Sequence, residues 1–295
     1  MDYRDIVFLT VADKLSFSRA ADELFISQPA VTKHIKQLEM KMGIALFERK
    51  GNSIFLTKAG KVLYGYLKQI KQQYNELEFE LGRLNDSFIG TLRIGASSTI
   101  SQYIIPGVIA AFHLRYPKIK LYLFNGNSFE MENKLSNNTI DLAFVENFSS
   151  QTNIKYIDFL DDEIVAVTGQ NCIYAKNKVI KISDFQNIPI VLREKGSGTL
   201  EVIQKTLIKY KISIDKLNIF IHLGSTETIK NFLQTFEGIG LVSDRSIEKE
   251  QKLKLIYKIQ IHNLNINRKF RIALRQGPLS STAELFKNFL LSYNF

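Results

Sequence analysis

Two sets of side chains in this sequence have the types and spacing for recognition chemistry. One lies in Phe25 to Glu39, FISQPAVTKHIKQLE, where amide, hydroxyl and amine side chains interleave with apolar ones. The other is a series of small hydroxyl clusters: Ser97-Ser98-Thr99, Gly196-Ser197-Gly198-Thr199 and Ser225-Thr226. Residues that would do catalysis are missing. The four histidines, His34, His113, His222 and His262, stand far apart and make no metal-ligand spacing. Cys172 is the single cysteine, which excludes a disulfide framework and a thiolate cluster, and no neighbour marks it as an activated thiol. Gly95-Ala96-Ser97-Ser98-Thr99 lacks the last glycine of a nucleophile elbow, Gly238-Ile239-Gly240 lacks the third glycine of a dinucleotide fingerprint, and no Walker-type loop occurs. No enzyme, catalytic residue, cofactor or metal is expected.

The first set reads as a helix that Ser27 caps, with Pro29 in the first turn, where its missing N–H costs nothing. Val31, Ile35, Leu38 and Met42 recur at helical spacing as the inward face, and Gln28, Thr32, Lys33 and Lys36 fall on the other side. Gly43 ends the helix. A helix anchored by its apolar face and presented by its N-terminal end can enter the major groove of DNA. There Gln28 can pair with adenine, Thr32 can touch a base or a thymine methyl, and Lys33 can reach guanine or phosphate.

The elements around this helix must hold it. A first helix over about residues 2 to 13 places Ile6, Leu9 and Val11 toward a core, and a second, capped by Ser16, turns Ala20, Ala21 and Leu24 inward. ALFERKGNSIFLT reads as a β-hairpin turning at Lys50-Gly51-Asn52, with Arg49 and Lys50 placed to meet the DNA backbone or minor groove. Three helices and a hairpin suggest a winged helix-turn-helix. The residues expected at DNA are Ser27, Gln28, Pro29, Thr32, Lys33, Lys36, Arg49, Lys50 and Thr57, and His34 reads as an ordinary helix-surface residue. Thr57 also caps a long helix, about 58 to 88. In it Leu63, Ile70, Leu77 and Leu84 interleave with Leu67, Tyr74, Leu81 and Phe88 at gaps of four and three, the pattern of a coiled-coil seam. A core helix of a single chain is the alternative, and the lack of another long helix nearby favours pairing with a second chain.

Beyond Gly90 the character changes. TLRIGAS, IKLYLF, IDLAFV, EIVAV, IPIVL, LNIFIHL, GIGLVS and FRIALR read as strands, with helical patterns over 103 to 115, 128 to 137, 198 to 211, 225 to 237 and 280 to 293. This alternation predicts an α/β unit with largely parallel sheets, long enough for two subdomains. The hydroxyl clusters follow strands and open helices, where amides and positive potential favour a carboxylate, phosphate or sulfur oxyanion. Each hydroxyl could equally cap its own helix; three clusters in equivalent positions favour a ligand cleft.

Composition sets the frame. The chain of 295 residues carries 39 Lys and Arg against 29 Asp and Glu, a net charge of +10. That surplus suits a polyanion such as nucleic acid or a membrane surface, and equally a lysine-rich solvated surface. MDYRDIVFLTVADKL lacks the basic and apolar segments of a secretory signal, and no apolar run is long enough for a bilayer. A cytoplasmic protein is expected.

The stretch SFSRAADELFISQPAVTKHIKQLEMKMGIALFERKGNSIFLTKAGKVLY resembles the LysR-type transcriptional regulators. The Ala-Ala pair, Ser-Gln-Pro-Ala-Val, Gln-Leu-Glu, Gly-x-x-Leu-Phe-Glu-Arg and Leu-Thr-x-Ala-Gly stand in order at the family's spacing; Lys33-His34 departs from its common Arg-Gln. The rest resembles, more loosely, the family's effector domain, in the branch of sulfite-reductase and carbon-fixation activators. The resemblance implies a winged helix-turn-helix at 1–57, a linker dimerisation helix at 58–89 and an α/β effector domain at 90–295. That domain would be similar to periplasmic binding proteins, with lobes at about 90–163 plus 268–295 and at 164–267. It implies an effector cleft of Ser97, Ser98, Thr99, Glu146, Asn147, Ser197, Thr199 and Thr226, although Asn147 stands where the family often has glycine. The dimer seam would be Leu63, Leu67, Ile70, Tyr74, Leu77, Leu81 and Leu84. The expected function is a ligand-responsive transcription regulator. Its expected partners are double-stranded DNA, a small anionic effector, one or three further copies of the chain, and RNA polymerase, with no membrane. The alternatives are a constitutive DNA-binding regulator and a solute-binding protein.

Overall fold

The computed structural model describes residues 1–51, 53–84, 88–148, 151–175 and 179–295, with the backbone alone at Lys50, Gln72, Asn75, Glu78 and Arg83. The chain divides into two units, Met1–Gly90 and Thr91–Phe295.

In the first unit, short polar side chains start each helix. Asp2 and Asp5 form a capping box for α1 (Tyr3–Lys14), and the Ser16 hydroxyl accepts from the Arg19 amide to open α2 (Phe17–Leu24). Ser27 accepts from the Ala30 amide at 3.4 Å to open α3 (Gln28–Met42), which Gly43 closes at φ 68°. Strands β1 (Phe47–Lys50) and β2 (Ser53–Leu56) pair antiparallel as the hairpin, and α4 runs Lys58–Leu84. Val7, Phe8, Val11, Ala20, Ala21, Val31, Ile35, Leu38 and Leu46 pack into one core. The inward face of α1 therefore centres on Val7 and Phe8, and the expected Ile6 is only half buried. Met42, expected on the inward face, is 45% exposed: it is the last residue of α3, one turn past Leu38, where burial of the helix ends. The Glu39 carboxylate receives the Leu46 amide at 2.7 Å and so ties the approach to the hairpin onto α3. Gly60 is dictated by crowding: a Cβ there would lie 2.1 Å from the Leu46 carbonyl oxygen.

Helix α4 corrects the expected seam at both ends. Leu67 is buried and Leu63 half buried in the core of the first unit, so both are used inside the chain. Phe88 lies beyond the last helical residue, Leu84, and its ring packs on Phe79 at 5.6 Å. Ile70, Tyr74, Leu77, Leu81 and Leu84 remain exposed.

The second unit continues with β3 (Gly90–Ser97), α5 (Ser98–Tyr103), α6 (Ile105–Arg115), β4 (Ile119–Gly126), α7 (Ser128–Ser136), β5 (Leu142–Val145) and β6 (Ile154–Gly169). Then come β7 (Val179–Ile180), α8 (Ile182–Phe185), β8 (Ile190–Arg193), α9 (Gly198–Lys209), β9 (Ile219–Leu223), α10 (Thr226–Leu233) and β10 (Ile239–Ser243). Last are α11 (Glu248–Lys252), β11 (Ile256–Ile261), β12 (Ile266–Arg275) and α12 (Ser281–Leu291). Among the described residues ten strands join in the order β4-β3-β5-β12-β6-β10-β8-β9, with β11 beside β6 and β7 beside β11.

The sheet is mixed rather than largely parallel. β3 with β5 and β8 with β9 and β10 are parallel, as the strand–helix alternation predicts. The long strands β6 and β12 are antiparallel to each other and to their neighbours. The sheet order sets β3, β4 and β5 on one side of this pair and β8, β9 and β10 on the other, two lobes between which β6 carries the chain over and β12 brings it back. EIVAV is only the end of β6. Its first half, Ile154 to Asp162, intersperses lysine and aspartates on exposed positions and gives no continuous apolar run.

Candidate functional site

On α3 the apolar side is buried through Val31, Ile35 and Leu38, while Ser27, Gln28, Pro29, Lys33 and Lys36 are exposed. Thr32 is half buried. Its hydroxyl donates to the Gln28 carbonyl at 3.1 Å and receives the Gln28 amide at 3.0 Å, so the glutamine is held along the helix rather than loose in solvent. His34 is half buried against Tyr3, ring edge to ring face at 5.3 Å, and points away from the exposed row. Arg49 is exposed on β1, opposite Ile54; the side chain of Lys50 and all of Asn52 lie outside the described residues. The Thr57 hydroxyl donates to the Ala45 carbonyl at 2.8 Å and accepts from the Gly60 amide at 3.0 Å, which uses it in fastening α4 to the hairpin.

In the second unit every residue expected in the effector cleft is buried. The structure joins five of them across the lobes in two groups. Glu146, after β5, accepts from Ser97 at the end of β3 and, at 3.3 Å, from Thr199 on α9 of the other lobe. Thr99 on α5 meets Thr226 on α10 at 3.3 Å. Asn147 donates to Glu132 at 2.9 Å, and its carbonyl accepts from Arg271. The lobes touch where α7 and α9 begin. The Phe129 amide donates to the Gly196 carbonyl at 3.3 Å, and a Cβ on Gly198 would stand 2.7 Å from the Ser128 hydroxyl. Glycine at 198 therefore permits this approach.

Helix capping accounts for Ser225, which receives the Thr228 amide at 3.1 Å. It does not account for Ser97 or Ser197, which precede α5 and α9 without a side-chain cap bond among the described residues. The hydroxyls of Ser98, Ser128 and Ser197 are buried with no protein partner among the described residues. Buried polar groups are nearly always satisfied, so these hydroxyls at lobe-facing helix starts need partners from outside the protein, water or a ligand.

The chain is matched over residues 85–294 by the LysR substrate binding domain and over 6–61 by the bacterial regulatory helix-turn-helix of the lysR family. It belongs to the LysR family. It is a DNA-binding transcription regulator with a ligand-binding domain. A probable RuBisCO transcriptional regulator of Thalassiosira pseudonana is 34% identical over 288 residues, 96% of this chain and 93% of that one. The transcriptional activator CmpR of Synechocystis is 28% identical, covering 98% and 94%. The CcmR regulatory domain of Synechocystis, solved in complex with 2-PG, is 26% identical with a TM-score of 0.62, over 68% of this chain and 96% of that one. Full-length CbnR complexed with its target DNA has a TM-score of 0.68 at 17% identity, covering 98% and 99%, a likeness of fold. The named relatives are regulators of transcription, not enzymes.

Within this LysR fold, several residues of the cleft escape a reading of the sequence. Arg268 is one: its Nε donates to Asp162 at 2.6 Å and its Nη1 to Thr199 at 2.8 Å, with Glu146 at 3.7 Å. Ser243 completes the group by donating to Asp162 at 2.7 Å. Arg268 and Asp162 face each other on β12 and β6, the two strands that cross between lobes. One signal was present, since Ile266, Arg268 and Phe270 are alternate positions of a strand and all three are buried. A second cluster joins the lobes at the rim. Tyr103 of α5 donates to Glu227 of α10, and buried Lys230 pairs with Glu227 at 2.9 Å and Glu250 at 2.7 Å. Burial, then the bond to Glu227, pushes the Tyr103 phenol far above its ordinary value. At Glu227 burial acts upward, but the hydrogen bonds from Tyr103 and Lys230 prevail and hold the carboxyl below its usual range.

Among the described residues no group of acidic, histidine and cysteine side chains could hold a metal, and no helix is long and apolar enough to cross a membrane. Cys172 is buried, with its sulfur 3.9 Å from the Gly238 carbonyl.

Proposed function

We propose that the chain binds promoter DNA through the first turns of α3 and the hairpin, and that a small anion in the inter-lobe cleft modulates this binding. In this reading Gln28, Thr32, Lys33, Lys36 and Arg49 meet the DNA, with Ser27 and Pro29 shaping the helix start and Thr57 holding the wing. Ser97, Ser98, Thr99, Glu146, Asn147, Ser197, Thr199 and Thr226 form the effector cleft. The protein divides into a reader at 1–57, a linker helix at 58–89 and an effector domain at 90–295, and works in the cytoplasm beside RNA polymerase. Copies associate along the exposed Ile70, Tyr74, Leu77, Leu81 and Leu84 of α4 as a dimer or a pair of dimers. The CcmR regulatory domain, solved in complex with 2-PG, supports the reading of a small ligand in this domain.

The observation that carries the anion is the set of buried, unpartnered hydroxyls at the starts of α5, α7 and α9. Hydroxyls can donate, and an anion offers acceptors only. Binding shifts the balance between two arrangements of the lobes if one arrangement holds the ligand better. The test is a thermal-shift screen of the full chain against small carboxylates, phosphates and sulfur oxyanions, followed by gel shift with the chain's own upstream DNA. A ligand that raises the melting temperature and changes DNA affinity supports the reading. DNA binding indifferent to every ligand that binds would leave a constitutive regulator.

A further inference from the structure

Arg193 is the last residue of β8 and is 1% exposed, the largest fully buried side chain among those described. Its Nε and Nη2 donate to the Glu194 carboxylate at 2.8 and 3.0 Å, and Nη2 also reaches the Gly224 carbonyl at 3.4 Å. Its Nη1 is buried and has no partner among the described residues. A guanidinium N–H without an acceptor is costly to bury, more so than a hydroxyl, because it carries charge.

The fold places this group beside the start of α10. Gly224 directly precedes Ser225 and α10, whose first residue, Thr226, touches Thr99 on α5 of the opposite lobe. Tyr103, at the end of that same α5, bonds to Glu227, the second residue of α10. The guanidinium therefore sits at the carboxyl ends of β8 and β9, beside the start of α10, which itself meets α5 across the cleft. The unpartnered groups in this cleft are then Ser98 and Ser128 from one lobe, Ser197 and Arg193 from the other, Nη2 of Arg268 on the connecting strand β12, and the Gln102 amide oxygen. Arg268 is already held by two buried carboxylates, whereas Arg193 has only the partly exposed carboxylate of Glu194. Apart from the Gln102 amide, which can turn its NH2 inward, the unpartnered groups can all donate.

We propose that Arg193 is the charge-reading residue of the effector cleft and that the ligand class is a compact oxyanion with at least three acceptor oxygens. Arg193 takes one oxygen through Nη1 while hydroxyls of both lobes take the others. This rests on the effector reading above and narrows it: a neutral ligand can accept from Nη1 but leaves the buried guanidinium charge without the stronger, charge-assisted bond that an anion makes. Glu194 holds the guanidinium in place and offsets part of its charge, so it limits anion affinity while fixing geometry.

Isothermal titration of the full chain with inorganic phosphate and with sulfate tests the proposal, with a neutral polyol of similar size alongside. Arg193→Gln should weaken phosphate binding about ten- to a hundredfold, the range of a lost charge-assisted hydrogen bond. Arg193→Lys should recover part of it, since a lysine keeps the charge without the planar fork. Glu194→Gln should strengthen binding about two- to fivefold by removing a partly exposed countercharge. Ser98→Ala should weaken it, which separates the cleft from phosphate on the basic surface. Should Arg193→Gln fail to fold by circular dichroism, the Glu194→Gln and Ser98→Ala titrations decide. Phosphate affinity unchanged in Arg193→Gln, or lowered in Glu194→Gln, overturns the proposal. A neutral ligand that binds the wild type regardless of residue 193 would overturn it and leave the effector cleft standing, and no binding of anything would overturn both.

Discussion

Replacing Arg268 by methionine should unfold the second unit early. The side chain is 0% exposed, and its partners Asp162 and Glu146 have side chains 0% and 1% exposed. Methionine fills most of the volume but leaves two buried carboxylates without their countercharge, Asp162 without its 2.6 Å bond and the Thr199 hydroxyl without the Arg268 donor. Removing one member of a buried ion pair costs about 3–5 kcal/mol, because the remaining charge keeps its desolvation penalty. For a unit of roughly two hundred residues, about 2–4 °C of melting temperature is lost per kcal/mol, so the drop should be roughly 6–20 °C. Adding Asp162→Asn and Glu146→Gln removes the orphaned charges and keeps acceptors for Ser243 and Ser97. The triple variant should therefore recover more than half of the loss, a strong non-additivity for residues in one network. Differential scanning calorimetry of the full chain reads the transition directly. An Arg268→Met variant that melts within about 1 kcal/mol of the wild type would refute the reasoning, since that is the scale of an ordinary substitution.

Leu77→Glu with Leu81→Glu should leave both units folded and shift the chain toward monomer in sedimentation velocity, because both positions are exposed on α4. Leu67→Ala, by contrast, should cost the first unit about 2–5 kcal/mol without acting on association, because that leucine is buried in the helix-turn-helix core. Gly60→Ala should disrupt the junction of α4 with the hairpin, seen as loss of first-unit amide protection in hydrogen exchange, because its Cβ would strike the Leu46 carbonyl.

The helix starts were legible because their signals are local. Ser16, Ser27, Pro29 and Gly43 act within a turn of where they stand, and the structure uses each as expected. Inward faces were less so: α1 buries Val7 and Phe8 rather than Ile6 because its partners approach from that side. The heptad pattern of α4 was real, but spacing cannot say which chain covers a leucine, and Leu63 and Leu67 are covered by their own. The strand–helix alternation located the parallel strands and missed β11 and half of β6, which have polar residues on exposed positions. In the cleft, hydroxyls after strands were visible as clusters. Arg268, Asp162 and Arg193 were not, because their meaning comes from cross-strand register and from neighbours far away in the chain.

The central claim is that α3 reads DNA with its exposed first turns. DNase footprinting of the upstream region of this chain's own gene, with wild type, Gln28→Ala and Lys33→Ala, tests it most directly. The wild type should protect a discrete site whose occupancy falls with salt, and each variant should lose that protection while circular dichroism and sedimentation stay unchanged. Two variants that footprint like the wild type would mean that this helix is not the reader.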